Sequence, residues 1–287
     1  MPRKIPFLCF IIFGFYQLLA QDIGKELSYG MAVNIASEQR MLSQRFVKDF
    51  LLQEMGYKNA ATSEELDSTV QNFNSNFKVL KRNFKTRKAK SLLKEIDILW
   101  QSFTTGIHNK NSDSVLTMLM QQNTRLLTLS NKFMHAIEDD YYANKKETIN
   151  SNNQSYSNED LIEIINISGR QRMLAQRMCL YYLASMHFES NKSVYISHVK
   201  EVFEEFDLSL IYLLQSQFNN DQSREQIARL LFFWERIKRE EGSLYTQQFD
   251  IGDIYEITNK LTAVFEKITS IYQESYDTQQ TGLTNKN

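Results

Sequence analysis

The sequence predicts an all-α protein made of two tandem four-helix bundles, able to pack on each other as a pseudo-dimer within one chain. Three observations lead there. Two Pro and nine Gly in 287 residues are too few for the turns of a β-sandwich or an α/β enzyme. Apolar residues such as Leu92, Ile96, Leu99 and Phe103 recur at three- and four-residue spacing, as one buried stripe of a helix requires. And one helical segment occurs twice.

The chain opens with Arg3 and Lys4, followed by an uncharged apolar run from Ile5 to Ala20. That run is short for a bilayer span and has the layout of a secretory signal peptide over residues 1–20, with cleavage after Ala20. Leu18 stands where the cleavage rule prefers a small residue, so an uncleaved anchor is the alternative. The protein is therefore expected outside the cytoplasm, in the periplasm or otherwise exported. Pro6-Phe7-Leu8 before Cys9 makes a poor lipobox. Once the segment is removed only Cys179 remains, so no internal disulfide can form, and its apolar surroundings predict a buried thiol. No second long apolar segment follows, and no membrane span is expected in the mature chain.

Residues 34–45 read Asn-Ile-Ala-Ser-Glu-Gln-Arg-Met-Leu-Ser-Gln-Arg, and residues 166–177 read Asn-Ile-Ser-Gly-Arg-Gln-Arg-Met-Leu-Ala-Gln-Arg, eight of twelve positions matching at an offset of 132. Leu80, Phe84 and Trp100 align with Leu214, Phe218 and Trp234 at an offset of 134, and Asn123 and Asn259 head similar stretches further on. Matches in order with a slowly drifting offset read as a duplication of a domain-sized unit. The units are expected at 21–145 and 159–287, joined by a polar linker at 146–158 where Asn, Ser, Gln and Lys crowd together.

In the first unit helices are expected near 23–55, 63–84, 88–105 and 113–143. Gly56 and Gly106 are the stops, and Thr62 with Glu65 is the capping box of the second helix. In the second unit they are expected near 158–190, 194–218, 222–241 and 252–279. Short loops between such helices make antiparallel neighbours. Phe73, Phe77, Trp100, Phe232, Phe233 and Trp234 sit at helical spacing and are read as core.

On a helical wheel Ala36, Ser37, Arg40, Ser43 and Gln44 share one narrow face, and Ser168, Gly169, Arg172, Ala175 and Gln176 share the same face of the second copy. Ile35, Leu42 and Phe46 lie roughly opposite, beside the core. Small residues let another backbone approach, so two such faces can pair. Pairing would bring Arg40 near Arg172, where like charge and desolvation both oppose burial. A small planar anion between two guanidiniums would resolve this, since each donates paired charge-assisted hydrogen bonds. The ligand-binding candidates are thus Arg40, Arg172, Ser37, Gly169, Gln44 and Gln176. Arg45 and Arg177 point elsewhere and suit interhelical salt bridges or capping, and Asn34 and Asn166 on that side are as fit for structure as for ligand.

These residues resemble the sensor module of NarX-like nitrate/nitrite sensors and the PilJ-type N-terminal domain of type IV pilus chemotaxis transducers. The resemblance is sharp over about twelve residues in each copy. It implies a four-helix bundle that pairs through its signature helix, with an anion held by the arginine of the Arg-Met pair, here Arg40 and Arg172. Ile35 and Ile167 follow the Asn where the nitrate sensors place a basic residue, and Ser37 replaces a signature Gly, so the resemblance does not fix the ligand.

Lys and Arg number 33 against 34 Asp and Glu, which excludes a global polyanion binder; nucleic acid is not an expected partner. Lys81 to Lys90 nevertheless holds six cations, read as a solvated loop or as a contact for anionic lipid or polysaccharide. His108, His135, His187 and His198 lack metal-ligand spacing, and no phosphate loop or nucleophile elbow occurs. No metal, cofactor or catalytic residue is expected. The leading expectation is a non-catalytic sensory module for a small ligand such as nitrate or nitrite, working with a membrane-bound sensor kinase or chemotaxis transducer. The alternative is a structural adaptor whose bundles pair with such an ectodomain.

Overall fold

The computed structural model describes residues 27–107, 112–145 and 155–284. The expected signal peptide with Cys9 and its cleavage site, most of the linker, and His108 lie outside the described residues. Among the described residues there is no strand, and none of the helices is long and apolar enough to cross a membrane.

Helix α1 (Tyr29–Leu52) starts at Ser28, whose hydroxyl accepts the Met31 N–H at 3.0 Å. It loosens into a π-turn over Gln53–Tyr57, where Gly56 takes φ 93° and ends the run as expected of a glycine stop. Helix α2 (Ala60–Asn83) begins earlier than the sequence suggests. Asn59, not Thr62, is its N-cap; Thr62 occupies the third position and returns its hydroxyl to the Asn59 N–H. Asn caps as well as Thr, and this frees Glu65 for the ion pairs described below. Helix α3 (Arg87–Gly106) is capped by Thr86, and α4 (Ser112–Lys145) completes the first group.

The second group opens with α5 (Ser155–His187), which already covers the last residues of the expected linker. Then come α6 (Lys192–Leu214), α7 (Asp221–Arg239) capped by Asn220, the single-turn α8 (Glu241–Tyr245), and α9 (Ile251–Thr284). Within the first group α1 packs on α2 and α4, and α3 on α4. Within the second, α5 packs on α6 and α9, and α7 on α9. The most extensive contact in the molecule is α1 against α5, which joins the groups.

Hydrogen bonds fix the directions. Lys48 and Gln176 both donate to Asn259 of α9, whereas Asn34 donates to Gln273 and Ser168 accepts from Thr269. Both α1 and α5 therefore run antiparallel to α9, and hence parallel to each other. Contacts within the groups also recur. Gln39 donates to the Phe73 carbonyl and Gln171 to that of Phe206, both at 2.9 Å. The indole of Trp100 donates to Asn74 and that of Trp234 to Asp207.

Phe73, Trp100, Phe206 and Trp234 are buried, with Phe73 stacked on Trp100 at 3.7 Å between centroids. One alignment and one core assignment need correction. Leu214 is 40% exposed, and Leu213 is the buried counterpart of Leu80. Phe232 is 72% exposed; three consecutive aromatics turn through 100° each, so they cannot all face one core.

Candidate functional site: the α1–α5 seam

Helix α1 is buried on nearly every side, because α2, α4, α5 and α9 all pack on it. Its polar residues are therefore committed to partners inside protein, where an unpaired group costs about 1–3 kcal/mol. The seam closes around Ser37 and Gly169. A Cβ built on Gly169 would lie 2.5 Å from the Ser37 Cβ, so only glycine permits this approach. The small-residue faces do pair.

Each signature arginine reaches across the seam. The Arg40 Nη2 donates to Asn166 Oδ1 at 2.7 Å and to Ser37 Oγ at 2.9 Å, while Nη1 lies 3.4 Å from Asn131 Oδ1. The Arg172 Nη2 donates to Asn34 Oδ1 at 2.7 Å and to the Asn34 carbonyl at 3.3 Å. The two pairs are reciprocal, each joining the seventh residue of one motif to the first of the other. Arginine side chains on a helix lean back toward its N-terminus, which is how a guanidinium meets an asparagine almost two turns earlier. Asn34 and Asn166 thus stand at the seam beside the arginines. Wheel position alone had put them with Arg45 and Arg177.

The two arginines share geometry but not surroundings. Burial, then the like charges of Arg170 and Arg172, pull the Arg40 guanidinium down to about 9, with Glu138 the opposing acid. It remains a cation at neutral pH. Burial also lowers Arg172, but there Glu38 and Glu266 oppose it. Glu38 and Arg170 occupy the same motif position, so one seam face has an acid where the other has a cation. Glu38 is itself raised by burial and by Glu266, with Arg172 drawing it down. The Nε of both Arg40 and Arg172 is buried without an acceptor.

The remaining candidates lie apart from this pair. Gln44 exchanges two hydrogen bonds with Asn123 of α4, at 2.9 and 3.0 Å, and Gln176 donates to Asn259 and Thr262 of α9. Both glutamines thus serve their own group's interior. Arg45 forms the expected interhelical ion pair, 3.5 Å from Glu65. Arg177 instead donates to the Tyr181 hydroxyl one turn on and lies over that ring. The two cavities described lie away from the seam, one in the first group's interior and the other a groove between Leu214 and Leu231.

Among the described residues, no cluster of His, Cys, Asp and Glu could hold a metal. Cys179 is buried, and burial pushes its thiol up to about 12, so it is not a nucleophile at neutral pH.

Residues 25–131 match the PilJ family. The matching family model is described as the type IV pili methyl-accepting chemotaxis transducer N-terminal domain. Its PilJ span covers α1 to α3 and much of α4, and so contains Arg40, Ser37 and Asn34. Their reciprocal partners Arg172, Gly169 and Asn166 lie beyond the PilJ match. No curated protein and no solved structure matches the chain.

One polar cluster went unread in the sequence. Lys48 and Asp49, both fully buried, lie lower in the seam, with Lys48 Nζ 2.9 Å from Asp49, 3.5 Å from Glu65 of α2 and 2.9 Å from Asn259 of α9. The ammonium also sits 4.5 Å from the Tyr255 ring centroid. The Tyr255 hydroxyl and the Asn259 amide both donate to Glu65. Neither Asp49 oxygen accepts an aligned hydrogen bond. Burial accordingly pushes Asp49 up to about 7, against the pull of Lys48. The corresponding pair in α5 is Leu180 and Tyr181.

Proposed function

We propose that this chain is a non-catalytic, extracytoplasmic sensory module in which α5 to α9 form a second PilJ-like unit beside the one the family match covers. Within it the α1–α5 seam receives one small anion at Arg40. The observation that carries this reading is the electrostatic imbalance across the seam. Arg172 has Glu38 and Glu266 in its field against the cation of Arg45, whereas Arg40 has Arg172 and Arg170, the latter paired with Glu205 at 2.5 Å, and one opposing acid.

An anion entering there replaces the Asn166 amide oxygen as the acceptor of Arg40. It also gives the buried Nε an acceptor. A guanidinium–anion pair carries charge on both partners, whereas the guanidinium–amide bond it displaces carries it on one, so binding alters the clamp that holds α5 on α1. A membrane-bound transducer or sensor kinase in contact with either group is the natural recipient of that change. Nitrate and nitrite are the first ligands to try, because a planar oxyanion matches a guanidinium edge.

Thermal unfolding of the chain with nitrate, nitrite and other small anions, at constant ionic strength, tests this. At about a hundred times the dissociation constant a ligand stabilises the fold by about 2.7 kcal/mol, several degrees in Tm. A selective rise in Tm that Arg40→Ala abolishes is the expected result. A second reading has its own support: each arginine already rests on an asparagine of the opposite group, which suits pure architecture. If every anion leaves Tm unchanged, the chain is better read as a helical adaptor for a membrane ectodomain.

A further inference from the structure

The turn between α2 and α3 carries Lys81, Arg82, Lys85, Arg87, Lys88 and Lys90 without an intervening acid, and all six are exposed. Lys88 is 2.6 Å from Asp139 and Lys81 is 3.7 Å from Asp97. Lys85 donates to the Lys81 carbonyl. Arg82, Arg87 and Lys90 form no ion pair among the described residues. Asp97 of α3 and Asp139 and Asp140 at the end of α4 are nearby acids, and they hold Lys81, Lys88 and Thr86. These two ion pairs offset only part of the repulsion among six cations.

The fold places this turn with care. Gln39 meets Phe73 while Arg45 meets Glu65, so α2 runs back along α1 and ends level with its start. Tyr29 at the head of α1 stacks on Tyr141 at 3.9 Å, and Thr86 lies 3.5 Å from Asp140. The basic turn, the end of α4 and the head of α1 therefore share one end of the molecule. The described chain enters at that end, at Leu27, and the apolar run Ile5 to Ala20 precedes it. Chain entry and cations thus face the same way. The corresponding stretch of the second group, Gln215 to Arg224, has one cation, Arg224, 3.8 Å from Asp221. The charge is a property of the group that adjoins the chain's entry, not of the repeated fold.

We infer that the α2–α3 turn is a docking surface for a bilayer bearing anionic headgroups, seating the first group end-on against it, whether Ile5 to Ala20 is removed or stays as the alternative anchor. The inference rests on the extracytoplasmic placement proposed above but not on the anion site at Arg40. Each exposed Lys or Arg near an anionic surface strengthens binding about fivefold, and salt weakens the effect.

The test is partition of the full chain onto vesicles of phosphatidylcholine, alone or mixed with an equal part of phosphatidylglycerol, at low and high salt. Three proteins are compared. They are the native chain, a variant with Arg82, Lys85, Arg87 and Lys90 changed to Gln, and a charge-matched control with Lys200, Arg229, Arg239 and Lys267 changed to Gln. All eight positions are exposed, and matched melting curves confirm that each variant folds. The native chain and the control should prefer anionic vesicles, and the turn variant should lose about tenfold or more of that preference. High salt should remove the difference. Equal loss in both variants would reduce the effect to net charge and overturn the inference. So would unaltered binding of the turn variant, or no preference for phosphatidylglycerol. Arg40→Ala should bind vesicles like the native chain, so this result and the anion result fail separately.

Discussion

The two signature helices share eight of twelve motif residues and the same reciprocal arginine–asparagine clamps, yet α1 and α5 sit in opposite electrostatic settings. At the fifth motif position α1 has Glu38 and α5 has Arg170. The first draws a carboxylate toward Arg172, and the second brings a cation toward Arg40. One turn beyond the motif, α1 buries Lys48 and Asp49 where α5 has Leu180 and Tyr181. The repeated motif thus keeps its cross-seam contacts while the charges beside them diverge. A symmetric seam would offer two equal anion contacts or none. In this seam the imbalance falls on one buried guanidinium, that of Arg40.

The comparison breaks most sharply at Lys48. Lys48→Ala leaves Asp49 and Glu65 in protein interior with Arg45 as the remaining cation of the cluster, and loss of one partner of a buried ion cluster costs about 3–5 kcal/mol. Urea unfolding should register that loss, and Lys48→Met should recover part of it through packing. If Lys48→Ala unfolds like the native chain, the cluster is not structural.

A smaller effect sharpens the seam itself. Gly169→Ala drives a methyl to within 2.5 Å of the Ser37 Cβ and should cost about 1–3 kcal/mol by overpacking. Ser37→Gly should relieve most of that cost in the double variant, because a helix tolerates the exchange once the opposing side chain is gone. A double-mutant cycle with no coupling between these positions would mean that the helices do not meet there.

The smallest effect is a pH slope. Asp49 stands at about 7 in the fold against an ordinary value of 3.8. The folded state therefore holds this proton more tightly than the unfolded chain does between those values. The stability it contributes is full below about 4 and is lost as pH rises toward 7. Lys48 and Arg45 from α1, Glu65 from α2, Tyr255 from α9 and Cys179 from α5 face this carboxyl. Glu65 is lowered by Lys48 and Arg45 against its burial, so its own slope is of opposite sign and lies at more acid pH. Asp49→Asn should flatten the fall in Tm between pH 5 and pH 8. An unchanged slope would place the titration elsewhere.

Much of this was legible in the sequence because it is local. The stop at Gly56, the buried stripe through Ile96 and Phe103, and the burial of Cys179 follow from periodicity and residue type, whereas Gly106 closes its helix from inside with Ile107 as the cap. The close meeting of Ser37 and Gly169 followed from small residues repeated on one face. What escaped depends on reach and on distant partners. Asn34 and Asn166 meet the arginines only because a guanidinium leans back along its helix. Gln44 and Gln176 share the arginines' wheel face, yet α4 and α9 stand close enough to capture them. Lys48 and Asp49 have the charge of surface residues, and their burial depends on Glu65, Tyr255 and Asn259 in other helices.

The proposed single anion contact at Arg40 is best probed by calorimetric titration of the most stabilising anion from the thermal screen. Native chain, Arg40→Ala and Arg172→Ala are titrated side by side. Losing a hydrogen bond to a charged group costs about 1.5–3 kcal/mol, or roughly tenfold to a hundredfold in Kd. The account expects one anion per chain, a loss of that size in Arg40→Ala, and a much smaller change in Arg172→Ala. Two anions per chain, or equal losses in the two variants, would contradict it.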